Sequence, residues 1–139
     1  MPFYGLFLRN QLDGTAVVDF NTDTIKVALV SDAPVQDTDD FFDDVTEITG
    51  TGYTAGGITL TSPTITYDTG TDQVRLDAAD VSWTTSTITA RYAVVYKSTG
   101  TASTSPLICY FDFGSNQSTT AGTFAIQWAT DGIAYIDVT

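Results

Sequence analysis

Seven carboxylates, Asp32, Asp37, Asp39, Asp40, Asp43, Asp44 and Glu47, fall between residues 31 and 47, around Phe41 and Phe42. Carboxylates at this density repel one another unless a counter-charge is shared. The chemistry that would use them is a hard cation, calcium above all, held by oxygen ligands from a flexible loop. Asp37, Asp39, Asp40, Asp43 and Asp44 are weak candidate ligands for it. The spacing departs from the EF-hand loop, which needs Gly at the sixth position and a bidentate Glu at the twelfth. The preferred reading is no metal. It is a solvated loop with one helical turn, started by Asp39 or Asp40 and pinned to the core by Phe41 or Phe42. A third reading is docking onto a basic groove of a protein partner, carried by Asp39, Asp40, Phe41, Phe42, Asp43 and Asp44.

The remaining reactive groups point to no catalytic residue. Asp19, Asp68, Asp77, Asp80, Asp112 and Asp137 stand on or beside apparent strands. Paired carboxylates do glycosidase chemistry, but nothing in the chain pairs two of these. Asp112 interrupts the apolar run Phe111-Asp112-Phe113; if buried it needs Arg91 or Lys97. Cys109 sits among apolar residues and reads as a small buried hydrophobe. There is no His, so there is no imidazole base to activate a nucleophile, no His-based zinc site and no Ser-His-Asp triad. The glycine-rich stretch 50–57 lacks the Lys and the following helix of a phosphate-binding loop. Its glycines are expected to supply positive φ, with Tyr53 as the anchor of the loop. The reading is therefore a protein that is not an enzyme and has no cofactor.

Charge narrows the partners. Five basic residues against seventeen acidic ones leave a net charge of -12. That balance repels a phosphate backbone and an anionic membrane surface, so neither nucleic acid nor membrane is an expected partner. The N-terminal stretch has no basic region before its apolar residues and no small-residue cleavage site, which fits synthesis in the cytoplasm. No apolar run reaches the length of a membrane-spanning helix.

These residues must be positioned by strands. A chain of 139 residues fits one domain and buries roughly two thirds of its extended surface on folding. Only 16% of residues are charged, against roughly 25% in soluble proteins generally. About every fifth residue is Thr, a side chain suited to half-exposed strand faces. Residues 3–12 are the one helix of any length, with Phe3, Leu6 and Phe7 at helical spacing. That helix is either a lid on the core or, through Phe3 and Phe7, an arm that docks on a neighbouring subunit. Residues 16–20 and 24–30 flank Asn21-Thr22-Asp23 and predict a hairpin. Residues 58–60, 65–67, 74–76 and 81–83 are short alternating runs. Residues 87–97 alternate throughout, with Ile88, Ala90, Tyr92, Val94 and Tyr96 on one face. Residues 107–113 are apolar at nearly every position, as for a strand covered on both sides. Phe124, Ile126 and Trp128 share a face, and Asp131-Gly132 predicts a hairpin into 133–138. Trp83 and Trp128 fall in phase with apolar neighbours, which puts both in the core and not on a sugar-binding platform. The expectation is an all-β protein: an antiparallel β-sandwich, Ig-like or jelly-roll-like, of eight or nine short strands over 15–139, with residues 1–14 as an N-terminal arm or short helix. A small barrel is the alternative.

The order of these segments resembles a family. Asn21 to Val30 (NTDTIKVALV) leads to the acidic Phe41-Phe42-Asp43-Asp44-Val45-Thr46. That segment is followed by Gly50-Thr51-Gly52-Tyr53-Thr54-Ala55-Gly56-Gly57. Ile88 to Lys97 (ITARYAVVYK) comes next, and then the run from Ser105-Pro106-Leu107 to Gly114. The sequence resembles small virion structural proteins of tailed bacteriophages from about Asn21 onward. The resemblance implies a non-enzymatic capsid decoration or cement protein that binds the outside of the head and stabilises it. It would be made in the bacterial host cytoplasm and carried in the virion. Its partners would be the major capsid protein or other virion proteins, with homo-oligomerisation in the particle. A tail or neck component, or a carbohydrate-binding adhesin module, is the alternative.

Overall fold

Residues 1–138 are described in the computed structural model. The run Ile25–Val30 forms β1, which is paired antiparallel to β6 (Thr89–Lys97) over six residues, from Ile25 opposite Lys97 to Val30 opposite Tyr92. The twelve-residue β7 (Leu107–Ser118) flanks β6 on its other side, and the two-residue β2 (Ile58–Thr59) flanks β1. The four strands make a sheet in the order β2-β1-β6-β7. Two smaller sheets supply the second layer. One contains β3 (Thr64–Asp68), β4 (Gln73–Asp77) and β9 (Ala134–Asp137) in that order. The other pairs β5 (Val81–Ser86) with β8 (Gly122–Ile126). This is the expected all-β sandwich, with nine strands and one helix, α1 (Gly5–Asp13). Among the described residues no helix is long and apolar enough to cross a membrane.

Pleating alone sorts the core. Val27 and Leu29 of β1 and Ala93 and Val95 of β6 face Leu76, Trp83, Phe124, Ile126 and Ala134 of the small sheets. Trp83 is buried in this layer, and its ring meets Phe124 edge-on at 6.0 Å. Trp128 is half-buried and packs at the margin, where its indole N–H donates to the Ala79 carbonyl at 3.0 Å. The intervening residues Ala28, Val30, Val94, Tyr96 and Leu107 are also buried, in a second cluster on the opposite face of the same sheet. The strand predicted with one apolar face therefore has two. Residues 93–96 are at most 3% exposed: Tyr4, Phe7, Phe42 and Val45 cover Val94 and Tyr96, and the small sheets cover Ala93 and Val95, where water was expected. Ile88 and Ala90 join Ala93 and Val95 in the inner layer, because the register shift between Ala90 and Tyr92 breaks the expected single face. A register shift in β7 serves both layers. Val95 opposes Cys109 and Tyr96 opposes Leu107, so Ile108 bulges and joins Cys109 in the inner core while Leu107 faces outward. Beyond Tyr110 the strand leaves this cover: Phe111 and Asp112 are exposed, so two-sided burial holds only for its first half.

Two expected hairpins are absent. Residues 16–20 form no strand. Asp19 and Asp23 bind each other's turn instead, the Asp23 N–H donating to the Asp19 carbonyl at 2.8 Å and the Asp19 N–H to Asp23 Oδ2 at 2.8 Å. The side chains satisfy the backbone locally, and β1 takes β2 and β6 as neighbours. The turn at Asp131-Gly132 exists, with Gly132 N–H donating to Ala129 O at 2.9 Å. It hands the chain from β8 to β9, which lie in different sheets, so no hairpin results. The turn at 69–72 closes a β3–β4 hairpin.

The 50–57 loop reaches the sheet through backbone. Gly57 has φ +74°, and a Cβ there would overlap the Val27 carbonyl oxygen. Gly100 also has positive φ, +89°, but open space around it. We expect Gly57→Ala to cost about 3 kcal/mol or more by urea unfolding, from clash plus strain. Gly100→Ala should cost about 1 kcal/mol, from strain alone.

Candidate docking surface around the acidic loop and the N-terminal arm

Before its helix, the N-terminal arm pairs with the sheet edge through an isolated bridge. Phe3 bridges Cys109 on the free edge of β7. Tyr4 N–H donates to Ile108 O at 3.1 Å, and Tyr110 N–H donates to Pro2 O at 3.1 Å. This pairing covers an edge that would otherwise expose unpaired backbone. Tyr4 is fully buried, with its ring 5.1 Å from Tyr110. Its hydroxyl is the one buried side-chain polar atom without a hydrogen-bond partner among the described residues. Helix α1 begins directly after it and stops at Gly14, which takes the left-handed conformation at φ 76°. Phe3 and Phe7, the expected docking residues of the arm, stack at 5.8 Å and are half-buried. The arm thus carries a lid on the core, and the same two rings border open space described below.

The acidic loop is tied to this arm. Gly5 N–H donates to Gln36 O at 3.1 Å, and Gln36 Nε2 donates to Phe3 O at 2.9 Å. Four of its seven carboxylates accept backbone N–H groups of the loop or its neighbours. Asp32 accepts from Thr46 (2.9 Å), Asp39 from Val35 (2.7 Å), Asp44 from Asp40 (2.9 Å) and Phe41 (3.1 Å), and Glu47 from Gly56 (2.7 Å). The helical turn is Phe42–Asp44, and the cap differs from the expectation. Asp44 reaches back to the turn's start, whereas Asp39 closes the preceding bend and is itself buried. Phe42 is the anchor: its ring stacks on Tyr96 at 4.0 Å between centroids, 7° from parallel. Phe41 is half-buried and bridges Pro106 through backbone. Asp37 and Asp43 are exposed, and Asp40 is half-buried. Among the described residues no three His, Cys, Asp or Glu side chains are grouped to hold a metal ion, so Asp37, Asp39, Asp40, Asp43 and Asp44 are not brought together as ligands.

The next segment locks onto this loop. Tyr53 donates its hydroxyl to Glu47 Oε1 at 2.6 Å and accepts the Leu29 N–H at 3.1 Å. Tyr96 donates to Gly56 O at 2.7 Å. Burial, and for Tyr53 also the hydrogen bond to Glu47, pushes both phenols well above their ordinary range. Tyr53 is thus the loop anchor that its position suggested. Burial likewise pushes the Cys109 thiol up to about 12, which leaves it an inert packing residue.

Four of the five basic residues pair outside the acidic segment, and Lys26 makes no ion pair among the described residues. Arg9 pairs with Asp13 (3.7 Å), Arg75 with Asp68 (3.2 Å) and Asp131 (3.6 Å), Arg91 with Asp112 (2.9 Å) and Lys97 with Asp23 (2.9 Å). The Arg91–Asp112 pair is half-exposed on the sheet surface, so Asp112 is a surface partner and not the buried charge its neighbours suggested. No ion pair reaches a carboxylate of the 31–47 segment among the described residues, and of the basic side chains Arg9 is near enough to act on Asp40.

The sequence reading missed Leu8, Leu12, Ile65 and Ile136, large apolar residues left in water. Leu8 and Leu12 stand four apart on α1, a spacing that puts both on one face and was the available signal. Comparison with protein-family models, curated proteins and solved structures gives no match.

Two carboxyls of the loop respond oppositely to pH. Burial would raise Asp44, but the N–H groups of Asp40 and Phe41 outweigh it and hold its carboxyl below the ordinary value. Its contribution is complete above about pH 4 and is lost as pH falls through the lower folded value. Burial, then the hydrogen bond to Asp44 and its charge, raise Asp40. Ionised Asp40 therefore opposes folding, and that penalty lifts as pH falls through its raised value. At pH 7 we expect Asp44→Asn to lower the Tm and Asp40→Asn to raise it, with both differences shrinking at pH 3 in calorimetry. Tyr4→Phe removes an unpaired hydroxyl and should be neutral or stabilising by up to about 1 kcal/mol. Tyr4→Ala should cost about 3–5 kcal/mol in the same urea titrations.

Proposed function

We propose that this chain is a non-enzymatic structural protein of a tailed-bacteriophage virion, a decoration or cement protein that adds to the outside of the head. The supporting observation is how the segments that carry the resemblance meet. Phe42 of the Phe-Phe-Asp-Asp turn stacks on Tyr96 of the 88–97 strand, and Tyr96 donates to Gly56 of the glycine-rich loop. Phe42 N–H donates to Ser105 O at 2.9 Å, and Leu107 N–H to Asp40 O at 2.9 Å. These segments are therefore one packing unit, a scaffold that holds an acidic loop without an ion pair at the surface. Such a face suits a basic patch on a shell protein, and repetition over a lattice lets each contact be weak. The net charge of -12 keeps the protein apart from its own copies before assembly. A sugar-binding adhesin would need exposed Trp rings; Trp83 lies in the core, and Trp128 is half-buried with its indole N–H donated to Ala79 O.

The reading is tested by quantitative densitometry of purified particles. The protein should be present at high copy number and be released with loss of head stability. A handful of copies per particle, or location on the tail in an electron-microscopy map, would overturn it.

A further inference from the structure

A cavity of about 660 Å³ opens where the sandwich is not closed. Leu8 and Leu12 of α1 form one wall, Ile65, Val74 and Ile136 of the three-stranded sheet form the other, and Phe20 lies at the base. Leu12 is 91% exposed, Ile65 42% and Ile136 37%. Water on such a surface gains few hydrogen bonds and is readily displaced by apolar groups.

Gln11 and Asp19 are the polar residues of the lining. The Gln11 amide is already used, donating to Ala16 O at 2.7 Å and accepting the Val18 N–H at 2.8 Å. Asp19 has no ion pair among the described residues. Its Oδ1 accepts the Asn21 N–H at 3.1 Å, and Asp13 beside Leu12 is already paired with Arg9, so Asp19 is the carboxylate that charges the mouth. Helix carbonyls at the C-terminus of α1 add partial negative charge. No Lys or Arg lines the groove. The groove is apolar along its walls and negative at one end.

We infer that this groove docks a segment of a protein partner that is apolar where it faces Leu8, Leu12, Ile65 and Ile136 and carries Lys or Arg where it passes Asp19. The inference rests on the structural-protein reading and names the place and chemistry of its docking contact. Charge complementarity selects the occupant. A second copy would bring a net charge of -12 and a second acidic mouth. A fatty acid would set its carboxylate against Asp19 and the helix carbonyls.

The test is an NMR titration of the isotope-labelled full chain with a short peptide alternating Leu and Lys, beside Leu/Glu and Ser/Lys peptides of the same length. The Leu/Lys peptide should move the amide resonances of residues 6–12, 18–20, 65, 74 and 136. Its affinity should fall about tenfold in Leu12→Ser and about threefold in Asp19→Asn. Leu12 is largely in water, so Leu12→Ser should keep close to the wild-type Tm. Shifts confined to residues 31–47, equal binding of the Leu/Glu peptide, or unchanged affinity in Leu12→Ser would overturn the inference. So would sedimentation showing a dimer that Leu12→Ser abolishes, which gives the groove to a second copy. Particles separate this inference from the function it rests on. If wild-type protein and Leu12→Ser join heads equally, the groove fails and the virion reading stands. If wild-type protein is absent from particles, the virion reading fails and the titration still decides the groove.

Discussion

The structure depends on covering both faces of the central strand pair β1–β6. Val94 and Val95 are adjacent in sequence, point in opposite directions and are both fully buried. Burying a valine side chain is worth roughly 1.5–3 kcal/mol, so neither face can be left to water cheaply. The small sheets satisfy the inner face. The outer face has no sheet above it and is satisfied by pieces: Tyr4 and Phe7 from the arm, Phe42 and Val45 from the acidic loop. The arm and the loop are where they are because this face needs a cover.

That constraint explains the acidic segment. A loop packed on a sheet must satisfy its backbone N–H groups without a strand partner. Asp32, Asp39, Asp44 and Glu47 accept those groups, each at 2.7–2.9 Å at its closest. A carboxylate accepts but cannot donate, which suits a loop whose open needs are donors. The density of acidic residues is thus partly structural. Asp37 and Asp43 are exposed and leave a net negative surface, which is what a basic partner would meet.

Much of the architecture was legible because period two is a local property. The alternation in 25–30, 74–76, 81–83 and 124–126 marks strands whatever surrounds them. Tyr53 as a loop anchor, Cys109 as a packing residue and Trp83 in the core followed from their neighbours. The two failures have different causes, one local and one long-range. Residues 16–20 look like a strand, but Asp19 and Asp23 close a turn on themselves. The residues after Asp131-Gly132 form a strand, but it pairs with β4 and not with β8. Local pattern says that a strand exists, and its partner is chosen by long-range packing.

The sequence by itself determined most element types, residues 16–20 excepted, the apolar content of the core and the placement of the negative charge, because these depend on residue identity and near-neighbour spacing. Only the tertiary structure decided that both faces of β6 are buried, that the arm adds to the edge of β7, and that Leu8, Leu12, Ile65 and Ile136 line one open groove. Those outcomes join residues as far apart as Leu8 and Ile136, and no spacing in the chain encodes which distant surfaces meet or where they fail to close.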